Sequence, residues 1–238
     1  NGLQFGESID AIAPSMHTPD DSIEVEDNTL IRLSNAELSA TACRFEKLTV
    51  GSCLKLVSGS GARLKDCQLF APVGSAVDWI TSEGDRLELE GCVIASVSAV
   101  IATVIGDSIL DWKSNTVLTN VAVFELDAVS AQLLAHVSDC LLQSQVALVT
   151  TSLSPPSLTQ FSDIFAWSGS GNRITGHEVH FAELDSIPDW AREVSAWAAK
   201  DHDSVYGRRL FTLPHESVAT RLMEGQPVKE LIANNAFR

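Results

Sequence analysis

Few residues of this 238-residue chain combine the type and the spacing that catalysis needs. Lys55, Asp78 and Glu125 stand in three separate apolar runs, at 54–57, 77–80 and 122–127, on the outward side of a strand-like alternation. Two carboxyl groups, one protonated and one ionised, hydrolyse a glycosidic bond when they stand about 5 to 9.5 Å apart. A basic group near a carbon acid takes its proton in β-elimination. Asp78 and Glu125 are therefore the candidate hydrolytic carboxylates and Lys55 the candidate base. The other outward positions of the same sheet, Ile101 and Thr103 in the run 100–103 and Asp127 in the run 122–127, do not build a dense carboxylate cluster. Ca2+ held by Asp or Glu enters only with this enzymatic alternative, and no other cofactor is expected.

The six histidines do not make a metal motif. His177, Glu178 and His180 form the tightest grouping, but the spacing differs from His-Glu-x-x-His, and on a strand two positions three apart face opposite sides. His202, inside Asp201-His202-Asp203-Ser204, reads as part of a turn, since Asp and Ser bond nearby backbone amides. The chain has no Gly-rich phosphate loop, nucleophile elbow or kinase signature.

The elements that would position these residues are written in a repeat. The pattern apolar-x-x-Cys-x-apolar recurs around Cys43, Cys67, Cys92 and Cys140, and once with Asn, around Asn115. Successive copies lie 24, 25, 23 and 25 residues apart, a period that marks stacked structural units. A sixth copy around Asn172 comes 32 residues after Cys140, with Ser152, Ser154, Pro155, Pro156 and Ser157 as the turn-forming insertion. Each period holds three short β-like runs, for example 63–65, 68–70 and 76–81, separated by Gly, Ser, Asp or Pro. Three strands per coil describe a parallel β-helix, with equivalent positions of neighbouring coils about 4.8 Å apart. A leucine-rich repeat has a similar period, but its Leu-x-x-Leu-x-Leu is approached only by Leu87, Leu89 and Cys92.

In such a solenoid Cys43, Cys67, Cys92, Asn115 and Cys140 form an internal ladder of compact buried groups. An odd total of five cysteines cannot pair completely within the chain, so free thiols are expected rather than disulfides. Metal ligation is discounted, because the copies are spread along an axis instead of converging. Asp78 and Glu125 fall on coils with one coil between them, about twice 4.8 Å apart, with Ile101 or Thr103 in the gap.

The sequence divides into an irregular segment or cap at 1–22, coils over 23–185, and a helical C-terminal cap and tail at 186–238. Ser186 can N-cap a helix with Pro188 in its first turn, and Trp190, Val194, Trp197 and Ala198 then share one apolar face for closing the last coil. Further helical patterns surround Leu222 and then Val228, Leu231 and Ile232. The net charge of −15, from 16 basic and 31 acidic residues with no basic stripe, argues against nucleic-acid partners. No run reaches the roughly 18 apolar residues of a membrane span, so no membrane insertion is expected, and residues 1–21 lack the basic end and apolar core of a signal peptide. Beginning at Asn1 and not Met, the chain reads as a piece of a longer protein, and its sequence assigns no compartment.

On the repeated Cys or Asn turn, and on the ending Trp197, Asp201, Ser204 and Phe211, the chain resembles the right-handed parallel β-helix superfamily that includes pectate lyases and polygalacturonases. The resemblance covers about residues 23–214 and implies an all-β, right-handed parallel β-helix solenoid with a helical C-terminal cap. It also implies that an enzymatic site would lie on the outer face of one sheet, among clustered carboxylates joined by Arg or Lys. Similar modules occur as non-catalytic regions of large bacterial multidomain chains, some with protein kinase domains. The expectation is a non-catalytic binding module for a polysaccharide or protein ligand, joined to other domains of a longer parent chain. The alternatives are a polysaccharide lyase or glycoside hydrolase, and a structural spacer.

Overall fold

The structure, a computed structural model, describes residues 4–5, 28–151, 158–181, 201–206 and 210–233. The strands follow the repeat: β1 (Gln4–Phe5), β2 (Thr29–Ser34), β3 (Glu37–Thr41), β4 (Arg44–Glu46), β5 (Ser52–Val57), β6 (Gly61–Lys65), β7 (Gln68–Thr81), β8 (Arg86–Glu90) and β9 (Val93–Val104). Then come β10 (Ser108–Lys113), β11 (Thr116–Val129), β12 (Leu133–Ser138), β13 (Leu141–Thr151), helix α1 (Leu158–Ile164), β14 (Phe165–Ser170), β15 (Arg173–Phe181), β16 (Asp201–His202) and β17 (Val205–Tyr206). Helices α2 (His215–Met223) and α3 (Val228–Leu231) end the described chain. Among the described residues no helix is long and apolar enough to cross a membrane. The expected segment at 186–198, with Trp190, Val194 and Trp197, lies outside the described residues, as does the start of the coils before residue 28.

Each coil gives one strand to a short sheet, ordered β3-β6-β8-β10-β12-β14-β16, and the rest of its strand to a long sheet, β1-β4-β7-β9-β11-β13-β15-β17 with β2 and β5 alongside. Neighbouring strands pair in parallel because a full coil separates them. The chain is thus a parallel β-solenoid. The three runs expected per coil are separate as β3, β4 and β5, but from β7 onward the second and third join into one strand. The backbone stays extended through that corner and absorbs it as register shifts, between Ala71 and Ser75 and between Thr119 and Ala122.

The turn from the short sheet to the long one is the same in every coil. Ala42, Asp66, Gly91, Ser114, Asp139, Gly171 and Asp203 all adopt positive φ, between 52° and 66°, directly before the ladder position. Gly91 answers a specific crowding: a Cβ there would stand 2.4 Å from Asp66 Oδ1 of the preceding coil. The ladder position follows. Asn115 accepts from the Cys92 amide (2.8 Å) and donates to the Leu89 carbonyl (2.9 Å), and Asn172 repeats this with Cys140 and Val137. All five cysteines are free thiols. Burial pushes Cys92 and Cys140 up to about 12, which keeps them protonated and unreactive. Cys43, in the first complete described coil, is only half-buried. The ladder also continues past Asn172: Ser204 accepts from the Asn172 amide at 2.7 Å, and the Val205 amide bonds the Asn172 carbonyl.

Strand alternation fills the interior. In β10 Leu110 and Trp112 are buried, as are Leu87 and Leu89 in β8. Trp112 meets Phe124 of the opposite sheet at 4.9 Å between ring centres, and Phe124 meets Phe165 at 5.7 Å, so aromatic contacts join the two sheets through the core. The longer step from Cys140 to Asn172 contains α1, whose Phe161 packs against Phe165.

The helical tail does not close an end of the solenoid in the described residues; it runs back along its flank. Val218 and Leu222 of α2 and Leu231 of α3 join Leu210 and Phe211 over Phe70, Ala95, Leu118 and Leu141, which lie on the long sheet. The reason is the long sheet's own composition. Those four apolar residues recur coil after coil on a face that alternation would leave in water, and the amphipathic tail covers them. An antiparallel bridge, Phe211 to Ile232, ties the tail together.

Candidate functional site

The residues singled out for chemistry form one row on the long sheet. Lys55 pairs with Asp78, Asp78 with Ile101, Ile101 with Glu125, and Glu125 with Thr150. Asp78 and Glu125 therefore stand two rungs apart, about twice the 4.8 Å spacing, with Ile101 between them. Each carboxylate is already engaged: Ser75 donates to Asp78, and Ser98 to Glu125 at 2.9 Å. The row is aligned but does not converge on a common point. For Ca2+, no cluster of three or more His, Cys, Asp or Glu residues suited to a metal occurs among the described residues. His177 and His180 lie in β15 at positions registered with Ala147 and Thr150.

The open concavity is on the other sheet. A groove of about 620 Å³ runs along the outer face of the short sheet from Arg63 to Ser170. Two outward rows line it. In one, Arg63, Glu88, Asp111, His136 and Ser168 are register partners across β6, β8, β10, β12 and β14. In the other, Lys65, Glu90, Lys113, Ser138 and Ser170 take the same five rungs. Between them Leu64, Leu89, Trp112 and Val137 turn inward and are buried.

The first rungs are internally neutralised. Arg63 holds Glu88 through two hydrogen bonds, of 2.6 and 3.1 Å, Arg86 bridges Glu88 and Asp111, and Lys65 pairs with Glu90 at 3.3 Å. The hydrogen bonds from Arg63, with the positive charge of Arg63 and Arg86, hold the Glu88 carboxyl below the usual carboxylate range. Exposed pairs of this kind contribute about 0 to 1 kcal/mol each, so they shape the surface more than they hold the fold. The last rungs differ. Lys113, His136, Ser138, Ser168 and Ser170 line the same groove with no side-chain partner among the described residues.

Sequence reasoning passed over this groove because its residues are unremarkable singly. The signal was available in the alternation Arg63-x-Lys65, Glu88-x-Glu90, Asp111-x-Lys113, His136-x-Ser138 and Ser168-x-Ser170, one polar pair per coil at a fixed place before the ladder residue.

Fold and site together define a parallel β-solenoid with an open polar groove on its short sheet. Compared with known protein families, curated proteins and solved structures, the chain matches none.

Proposed function

We propose that this chain is a non-catalytic binding module whose ligand lies in the short-sheet groove. The observation that carries the reading is the groove itself, open and about 620 Å³ in volume, lined by charged and hydroxyl side chains. A carbohydrate suits it better than a protein. Protein interfaces depend on aromatic or aliphatic anchors, whereas the large hydrophobic residues exposed among those described, Leu48, Val50, Val73 and Ile105, are not among the groove's lining residues. A glycan offers hydroxyls that match the serines, histidine and charged groups.

The finer placement among pectate-lyase-like solenoids, within a larger bacterial chain, belongs to the same reading. It is supported by the Cys and Asn ladder and by Ser204, which continues that ladder at the position its ending motif gives it. The enzymatic alternative, with Lys55, Asp78 and Glu125, has weaker support, because the two carboxylates flank Ile101 and bond serines.

A glycan array tests the proposal with the wild-type chain and with Ser168→Trp, which fills the groove without touching the core. Binding by the first and not the second is expected. A wild-type chain that binds no glycan, or a Ser168→Trp chain that binds as well as wild type, sinks it.

A further inference from the structure

The last two rungs of the groove, on β12 and β14, carry His136, Ser138, Ser168 and Ser170 and no carboxylate, and the β10 rung before them carries Lys113 beside Asp111, whose carboxylate is already held by Arg86. Lys113, Ser138 and Ser170 follow one another across three neighbouring strands, and His136 and Ser168 lie beside them on the same strands as the two serines. Adjacent rungs are about 4.8 Å apart and alternate residues about 7 Å apart along a strand. Five donor-bearing side chains therefore surround a patch about 7 by 10 Å, the dimensions of a sugar ring with one ionised substituent. Val137 and Gly169, between the two rows, are buried and face inward.

Charge accounting gives this patch its character. Arg63, Lys65 and Arg86 each have a carboxylate within salt-bridge distance. Lys113 neighbours Glu90 in register yet makes no ion pair among the described residues, since Glu90 is bonded to Lys65 from the other side. An ammonium beside an imidazole and three hydroxyls, none with a side-chain partner among the described residues, is a donor set for an oxyanion. The overall charge of −15 does not forbid this. Charges farther away than the Debye length, about 8 Å at physiological salt, are largely screened.

Resting on the groove reading above, we propose that Lys113, His136, Ser138, Ser168 and Ser170 form an oxyanion subsite. Through it the module selects a glycan bearing a carboxylate or a sulfate or phosphate ester over a neutral one. Lys113 supplies the charge, His136 fixes one edge of the anion, and the serine hydroxyls take the remaining oxygens.

The test titrates glucuronate, inorganic sulfate and inorganic phosphate separately into the whole chain at constant ionic strength, reading the backbone amide signals of residues 113, 136, 138, 168 and 170 by NMR. A saturable shift with at least one of them is expected, and which one saturates identifies the anion as a uronate or a tetrahedral ester. Lys113→Gln and His136→Gln should each weaken binding about tenfold or more, as loss of a charge-assisted hydrogen bond does. Lys229→Gln should leave it unchanged, because that exposed ammonium stands on α3, outside the groove. All three positions are exposed, so the variants retain the fold. No saturable shift, or equal weakening by Lys229→Gln, overturns the subsite. If neutral glycans bind the wild type and not Ser168→Trp while no oxyanion binds, the subsite falls and the groove stands; if nothing binds, both fall.

Discussion

The two sheets of this solenoid share one backbone plan and carry opposite surfaces. On the long sheet the face bearing Phe70, Ala95, Leu118 and Leu141 is apolar and is covered by the returning tail. On the short sheet the equivalent outward rows carry Arg, Lys, Glu, Asp, His and Ser and stay open as a groove. The backbone does not dictate which face is sealed; the residue type at alternate strand positions does. A functional reading should therefore start from the open sheet, even though the residues with the most familiar catalytic chemistry lie on the other.

The most severe test removes what the sheets share. Asn115→Ala leaves the Cys92 amide and the Leu89 carbonyl without their buried partner. It should cost about 4 kcal/mol, two unsatisfied backbone groups at about 1 to 3 kcal/mol each, as read by urea denaturation. Asn115→Cys should cost less, since Cys occupies this position in neighbouring coils. A loss below about 1 kcal/mol would mean the ladder is decorative.

Next, Phe70→Ala should unseat the covered face alone. Phe70 is fully buried under the tail and also stacks under the Arg44 guanidinium at 4.7 Å. A local loss of about 3 kcal/mol is expected, seen as faster hydrogen exchange across residues 210–233 with glycan binding unchanged. If binding disappeared as well, the two faces would be coupled and the comparison broken.

Acid should weaken the same cover more gently. Burial lowers the affinity of His215 for a proton, partly offset by Glu216, so the docked tail favours neutral His215. Its contribution is complete above the unfolded value near 6.5 and declines as the pH falls from there toward the lowered docked value. The polar groups that face it from the long sheet are Gln143, which it meets at 3.5 Å, and Asn120 and Ser96 around a small cavity, none of them ionisable, and on its own helix it has Glu216. The protection of the tail amides, taken relative to their intrinsic exchange rates at each pH, should fall between pH 7 and 5 in the wild type but not in His215→Gln.

The smallest expected stability change sharpens the contrast within the groove. Glu88→Gln releases Arg63, while Arg86 keeps its pairing with Asp111. Stability at pH 7 should change by less than about 1 kcal/mol, as for exposed pairs. Because folding lowers the Glu88 value, its contribution is present above pH 4.5 and lost as the pH falls through the lowered folded value, and the variant should lack that acid dependence. The freed Arg63 should give the first rungs an affinity for oxyanions that the wild type shows only at the last rungs. A Glu88→Gln chain with unaltered anion binding would count against local pairing as the cause of the difference.

The sequence by itself determined the coil. A period of 23 to 25 residues, with Cys or Asn after a turn, fixed the stacking, the buried ladder and the free thiols, because each depends on local geometry repeated along one axis. It also placed Lys55, Asp78 and Glu125 in their row, since rungs follow from counting residues. What the tertiary structure decided was which face is covered and which charges are spent. The tail reaches Phe70 from about 140 residues away in sequence, and Arg86 bridges Glu88 of its own strand and Asp111 of the next. Periodicity counts positions along a coil, whereas covering and pairing depend on side chains that meet only when the coils stack and the chain turns back.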